Sequence, residues 1–292
     1  MSEYVIATGS TCDLEAAWLN EHHVPFISYT FTIDGKDYAD ECHPDTKVFV
    51  KEQMDEDHGV TTAAVSLYSY EKFFESILKE GKDIIFMDMC KALTSSYNNS
   101  LLAAKNLKEK YPERKIEVID TNCVTLLLGI LLKEAVTRKE NGASFEEIVE
   151  FSNAEKNHIT GRFMVNDLKW LRRGGRLSNA SAIVGSLLSI KPLIIVDDEG
   201  KLVAYSKVRG HQKCRKQLLE DCAKNFNEET GKHEIALVYS GEDEDGQLFK
   251  QEFQQKYPQF DNVNLYRLGP VIMGHIGPGF LAVVAFGSSR EA

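Results

Sequence analysis

Apolar positions along the chain fall into two kinds of run: short β-branched stretches, and longer stretches with helical spacing. "YVIATGS" (residues 4–10) reads as a buried strand ending in a Gly/Ser turn. "DIIFMDM" (83–89), "KIEVIDT" (115–121) and "EIALVYSG" (234–241) are apolar on both faces, as strands of a covered parallel sheet are. Helical stretches lie between and after the first three: "SYEKFFESILKEG", "SYNNSLLAAKNLKEKY", "NCVTLLLGILLKEAVTRKEN" and "SFEEIVEFSNAEKN". The last opens with Ser144 and carries Glu147 three residues on, the pattern of a capping box. Strand and helix alternating in this order predict an α/β fold with a mostly parallel sheet and helices on both faces.

The pattern changes in the second half. "KPLIIVDDEGKLVAYSKVRG" (191–210) is two strand-like runs joined by Asp-Asp-Glu-Gly, a hairpin signal. A helix is expected over 211–230, another over 245–257, and closing strands around "LGPVIMGHIGPGF" (268–280). The helical pattern ends near Asn157, before "HITGRFMVNDL". The expected organisation is therefore an N-terminal α/β domain over 1–157 and a C-terminal mixed α/β domain over 158–292.

Composition narrows the function. The chain has 292 residues, 43% of them hydrophobic, enough for a real core. Lys and Arg total 34 against 44 Asp and Glu, a net charge of −10, and no region is strongly basic, which argues against a nucleic-acid partner. "LRRGGR" (171–176) is too short to track phosphates. Six scattered cysteines show no zinc spacing, and no His/Asp/Glu cluster has metal-ligand spacing. "MSEYVIATGS" lacks the basic and apolar regions of a signal peptide, and "VTLLLGILL" (124–132) is about half the length a bilayer requires. The expectation is a soluble, cytoplasmic protein with reduced thiols and no integral membrane segment.

Candidate chemistry gathers in hydroxyl-rich turns at strand ends, where α/β folds hold ligands. These are Ser10 and Thr11 in "ATGSTCDL", Thr61 and Thr62 in "GVTTAAV", and Thr94, Ser95 and Ser96 in "CKALTSSY". Each also serves as an ordinary helix cap or turn residue. None is a Walker loop or a GxGxxG. "WLRRGGRLSNASAIVGSLLSIKP" (170–192) reads either as a basic surface turn before a helix with small residues, or as an Arg clamp at Arg176. His275 stands in a stretch of four glycines and two prolines, which predicts a rigid turn holding its side chain in one place. No GxSxG elbow accompanies it, so a Ser/Thr–His hydrolase or transferase acting on an acyl substrate rests on three-dimensional proximity alone.

In their order along nearly the whole chain, these stretches resemble the DegV family, the bacterial fatty-acid-binding proteins that include the FakB type. The resemblance rests on "GSTCDL", the Thr pair, "ALTSSY", "RFMVNDLKWLRRGGRLSNASAIVGSLLSIKPLI", "SKVRGHQK" and "LGPVIMGHIGPG". It implies two α/β domains that bury one long-chain fatty acid, such as palmitate, stearate or oleate, with the ligand between the domains and no other cofactor. It further implies that Thr61, Thr94 and His275 meet the carboxylate, with Ser10, Thr62 or Ser95 assisting. Arg176, with Arg173 beside it, and Arg209 would face a partner. That partner would be a soluble, dihydroxyacetone-kinase-like fatty-acid kinase, which phosphorylates the presented carboxylate, so the binding protein itself would not be an enzyme.

The chain departs from the family pattern in three places. The usual Thr-Asp-Ser-Thr opening reads Thr8-Gly9-Ser10-Thr11, Cys90-Lys91 opens the third turn, and Ala63-Ala64 replaces Gln-Pro. A hydroxyl remains at both ligand positions. Burying a sixteen-carbon chain gains on the order of 10 kcal/mol at roughly 0.8 kcal/mol per CH₂, before association costs. The carboxylate must then find donors or take up a proton.

Overall fold

Strands that are apolar on both faces need cover on both faces, and the chain supplies it in layers. The structure, a computed structural model, describes residues 3–176, 190–288 and 290. Its first half contains β1 (Tyr4–Gly9), β2 (Phe26–Ile27), β3 (Thr30–Ile33), β4 (Lys36–Ala39), β5 (Val60–Ala63), β6 (Asp83–Asp88) and β7 (Ile116–Asp120). The second half contains β8 (Ile159–Met164), β9 (Ile190–Val196), β10 (Leu202–Arg209), β11 (Ile235–Tyr239), β12 (Val263–Arg267) and β13 (Leu281–Phe286).

The expected parallel sheet is present, in the order β2-β1-β6-β7. Its central strand β6 is buried at all six positions, which is why "DIIFMD" carries no polar alternation. The helix Leu67–Leu78, capped by Ser66 accepting from the Ser69 N–H, packs against β6 and against the helix Ser96–Lys110. The helix Phe145–Glu155 has the capping box read from the sequence: Ser144 accepts from Glu147 N, and Glu147 accepts from Ser144 N.

The second sheet is mixed, in the order β10-β9-β8-β13-β11-β12. β9 and β10 form the expected antiparallel hairpin, closed by Gly200 at φ +79°. Alternation splits this sheet between two cores. Phe163, Ile194, Val196, Ala282 and Val284 face inward, toward the helix Leu126–Glu140. Met164, Leu193, Leu281 and Val283 face outward, into a cluster with residues of the helices His211–Asp221 and Asp243–Lys256. The run "VTLLLGILL" is apolar throughout because its helix lies between the sheets, touching β6 on one side and β8, β11 and β13 on the other. No helix among the described residues is long and apolar enough to cross a membrane.

Three expectations change. Residues 30–63 hold a separate antiparallel sheet, β4-β3-β5, so Thr61 and Thr62 sit on a strand rather than in a turn before a helix. The helix expected over 211–230 ends at Asp221 and continues as short 3₁₀ turns. His275 lies in a seven-residue helix, Pro270–Ile276, rather than in a turn. Pro270 starts that helix at its first position, and Gly277 ends it with φ +84°. The two residue types read as a turn are this helix's boundaries. The small-residue stretch with Ala180, Ala182, Gly185, Ser186 and Ser189 lies outside the described residues.

Candidate ligand site

Between the carboxyl ends of β6 and β7 and the inner face of the second sheet lies a cavity of about 860 Å³, counting its open mouth. Most of its wall is apolar: Val124 just before the central helix and Leu127 within it, Phe163 from β8, Val196 and Leu202 from the hairpin, Phe280 and Val284 around β13. Gly161 on β8 keeps that strand close to the helix, since a Cβ there would stand 2.7 Å from Leu127 Cδ1.

The polar lining is small, and contacts tie much of it together. His275 Nε2 lies 2.7 Å from Thr62 Oγ1. On the other edge of the ring, a Cβ built on Gly174 would stand 2.3 Å from Nδ1, so only glycine leaves room for the imidazole. The Gly174 carbonyl accepts from Arg176 Nη1, and Arg176 Nε donates to the Leu93 carbonyl at 3.4 Å. Next in the chain, Thr94 Oγ1 accepts from Ser96 N at 3.1 Å and bonds to Ser96 Oγ at 3.0 Å. Thr62, Thr94, Ser95, Arg176 and His275 all line the cavity. Ser95 directly precedes the helix Ser96–Lys110, whose dipole adds positive potential at that rim.

Burial, with the Arg176 charge adding to it, pushes His275 down to about 4, so the imidazole is neutral near pH 7 and offers one N–H and one lone pair. A neutral imidazole, hydroxyls, a guanidinium and a helix start suit an anionic head group. The apolar remainder of the wall suits a hydrocarbon tail. Gly277 fixes the helix end: a Cβ there would fall 2.1 Å from Trp170 Cδ1, and its φ of +84° is open to few other residues.

The structure does not bring every sequence candidate here. Thr61 is exposed and does not line the cavity; Thr62 does. The reason is register. β5 pairs antiparallel with β3 so that Thr62 sits opposite buried Phe31 and Thr61 opposite Thr32. Ser10 is buried but spends its hydroxyl on the Tyr29 N–H at 3.1 Å, away from the lining. Arg173 is exposed with its guanidinium 5.3 Å from the Trp170 ring, and Arg209 is exposed at the end of β10; neither lines the cavity.

Two polar lining residues were absent from the sequence candidates. Tyr29 donates to Asp88 Oδ2 at 2.9 Å. Thr125, held at φ +50° and ψ −136°, donates to buried Asp13 Oδ2 at 2.5 Å. No local motif marks either one. The departure at Gly9 does have a spatial counterpart: a Cβ on Gly9 would fall 2.2 Å from Asp88 Oδ1, so the carboxyl of Asp88 fills the space beside the first turn.

The chain is similar to known proteins over its whole length. A model of the DegV family, described as an uncharacterised protein family, matches residues 3–288. A DegV domain-containing protein of Clostridium perfringens is 33% identical over 296 residues, covering 100% of both chains. Among solved structures, the fatty-acid-binding DegV family protein of Streptococcus agalactiae is 26% identical with a TM-score of 0.83, covering 100% of both chains. A DegV family protein of Thermus thermophilus, solved for its fatty-acid binding, is 25% identical with a TM-score of 0.86, covering 99% of this chain and 100% of its own.

Proposed function

Because the chain belongs to the DegV family, we propose that it is a carrier that buries one long-chain fatty acid between its two larger sheets and presents the carboxylate to a partner kinase. The observation that carries this reading is an apolar cavity whose hydroxyls, imidazole and guanidinium are joined around Thr62, Thr94, Arg176 and His275. Fatty-acid binding by the similar proteins of Streptococcus agalactiae and Thermus thermophilus supports it. A carboxylate leaving water loses strong hydration, so it needs charge-assisted hydrogen bonds in return. Thr62 and Thr94 supply hydroxyl donors, His275 an N–H, and Arg176 the positive charge. Ser95 and the helix start stand at the same rim.

Arg176 is exposed while the tail-binding wall is buried, which suits a head group that stays within a partner's reach. A soluble, dihydroxyacetone-kinase-like fatty-acid kinase would then attach the γ-phosphoryl of ATP to a carboxylate oxygen, giving an acyl phosphate. On this reading the carrier does no chemistry, and its place is the cytoplasm. One observation favours a second reading: the hydroxyl–imidazole pair Thr62–His275, which has the spacing of a nucleophile and its base. Against it, Gly174 packs on Nδ1, where an orienting carboxylate would have to sit.

Two assays separate these readings. Saturating palmitate at a hundred times its Kd stabilises a carrier by about 2.7 kcal/mol, read as a rise in Tm with the acid recovered unchanged. Loaded protein, kinase and ATP together should yield an acyl phosphate trapped by hydroxylamine, and neither protein alone should. Turnover of an acyl ester by the chain alone, lost in His275→Ala, would instead establish the hydrolase.

A further inference from the structure

Arg290 lies just beyond β13 and is 2% exposed, a charged side chain with almost no access to water. A guanidinium carries five N–H donors in a fixed planar fork, and here they meet five acceptors. Nε donates to the Ile159 carbonyl at 2.8 Å. Nη1 donates to the carbonyls of Asn122 at 2.5 Å and Asp197 at 3.2 Å. Nη2 donates to Cys123 Sγ at 3.0 Å and to the Lys156 carbonyl. These partners are backbone carbonyls and a thiol, with no carboxylate among them. Taking a charge out of water without an opposite charge is costly, and only a complete set of hydrogen bonds offsets it. A guanidinium held this way fixes the backbone positions that hold it.

Those positions form a seam between the two halves of the chain. Asn122 and Cys123 lie between β7 and the central helix, Ile159 opens β8, and Asp197 follows β9. Three of them border the cavity wall: Cys123 precedes Val124, Asp197 follows Val196, and Ile159 stands two residues before Gly161. Further contacts close the same seam. Asn122 Nδ2 donates to the Asp198 carbonyl at 2.8 Å, and Cys90 Sγ lies 3.5 Å from the Gly200 carbonyl. The turn of the hairpin is thereby pinned to the first half.

Strand register shows which end of the cavity this is. Phe163 pairs with Ala282, Gly161 with Val284, and Ile159 with Phe286. The first two pairs line the cavity and the third does not, so along these strands the cavity stops between Gly161 and Ile159. His275 stands at the other end, because its helix leads into β13 through Gly277 and Phe280. The seam closes the apolar end, away from the polar group around His275.

We propose that Arg290 is a positioning residue that seals the tail end of the cavity, holding the hairpin turn against the segment before the central helix. This role rests on the carrier reading, because the wall being held is the one that covers the end of the hydrocarbon chain. It gives a side chain outside the lining a share of the preference for long acids over short ones. The last carbons of a sixteen-carbon acid reach the sealed end, whereas a twelve-carbon acid held by the same carboxylate contacts stops four carbons earlier. Loosening the seam exposes the long chain to water and leaves the short one covered.

The test measures Kd for palmitate and for laurate with wild type, Arg290→Gln and Asn122→Gly, with Tm recorded for each. Asn122 has φ +51°, which glycine adopts readily, so Asn122→Gly removes the bond to Asp198 without straining the backbone. It carries the test if Arg290→Gln does not fold. Arg290→Gln should weaken palmitate about tenfold, the burial of about two CH₂ groups, with laurate within about twofold of wild type. Asn122→Gly should lower the preference for palmitate over laurate in the same direction, by about threefold. A lowered Tm with that preference unchanged would make Arg290 a structural staple only and overturn the proposal. Palmitate and laurate weakening in proportion, in either variant, would overturn it as well. A wild-type protein that takes up neither acid would instead overturn the carrier reading, and the seal with it.

Discussion

Gly174→Ala is the sharpest small perturbation of the polar end. The added Cβ would stand 2.3 Å from His275 Nδ1, 3.2 Å from Cγ and 3.3 Å from Cε1. To restore ordinary contact the ring must retreat by about 1 Å, since non-bonded heavy atoms settle at about 3.5–4.0 Å. The retreat is limited on the far side, where Nε2 already lies 2.7 Å from Thr62 Oγ1. The imidazole therefore tilts out of line with both Thr62 and an arriving carboxylate. Losing one charge-assisted hydrogen bond costs about 1.5–3 kcal/mol, a tenfold to hundredfold rise in the Kd for palmitate. Gly174 ends a helix and has no positive φ, so alanine is acceptable to the backbone and the fold itself should hold. Isothermal titration with palmitate, beside a Tm for each protein, reads both quantities. Wild-type affinity in Gly174→Ala would refute the placement of His275 at the head group.

Other substitutions test neighbouring parts of the account. Thr62→Val should weaken palmitate binding about tenfold while Thr61→Val leaves it unchanged, by the same titration, because only Thr62 lines the cavity. Gly277→Ala should lower the unfolding free energy by about 2 kcal/mol or more in urea, since it combines a left-handed φ with a clash against Trp170. The pH dependence follows from His275, whose value falls from 6.5 in the free residue to about 4. In that window the unfolded chain binds more protons than the folded one, so stability from this residue is full above pH 6.5 and lost as pH falls toward 4. The stability gap between wild type and His275→Gln should shift by roughly 2–3 kcal/mol in that direction between pH 7 and pH 4. Burial pushes Asp40 up to about 7, with the opposite sign, but that contribution is common to both proteins and cancels.

The parallel sheet was legible because β6 is apolar at every position but its ends, and such a run has few other homes. The hairpin at 197–200 and the capping box at Ser144 were legible because their chemistry is local. A further local signal went unread: Asp34-Gly35, both at positive φ, turns β3 into β4 and so creates the small sheet. Without that sheet, Thr61 and Thr62 cannot be told apart, because the choice depends on which of them lies opposite Phe31. Tyr29 and Thr125 were illegible for a different reason. Their partners, Asp88 and Asp13, are 59 and 112 residues away, and nothing in the neighbouring sequence encodes such a pairing. Glycine and proline density around His275 correctly marked a constrained side chain but suggested a turn. It did not distinguish a turn from a short helix that begins on Pro270 and ends on Gly277.

The central claim is that the cavity holds a fatty acid, and the direct measurement is denaturing mass spectrometry of an organic extract of the purified protein. The account predicts one molar equivalent of an unmodified long-chain fatty acid, whose mass also reports the preferred chain. An empty extract from a protein that then takes up neither palmitate nor oleate would contradict it.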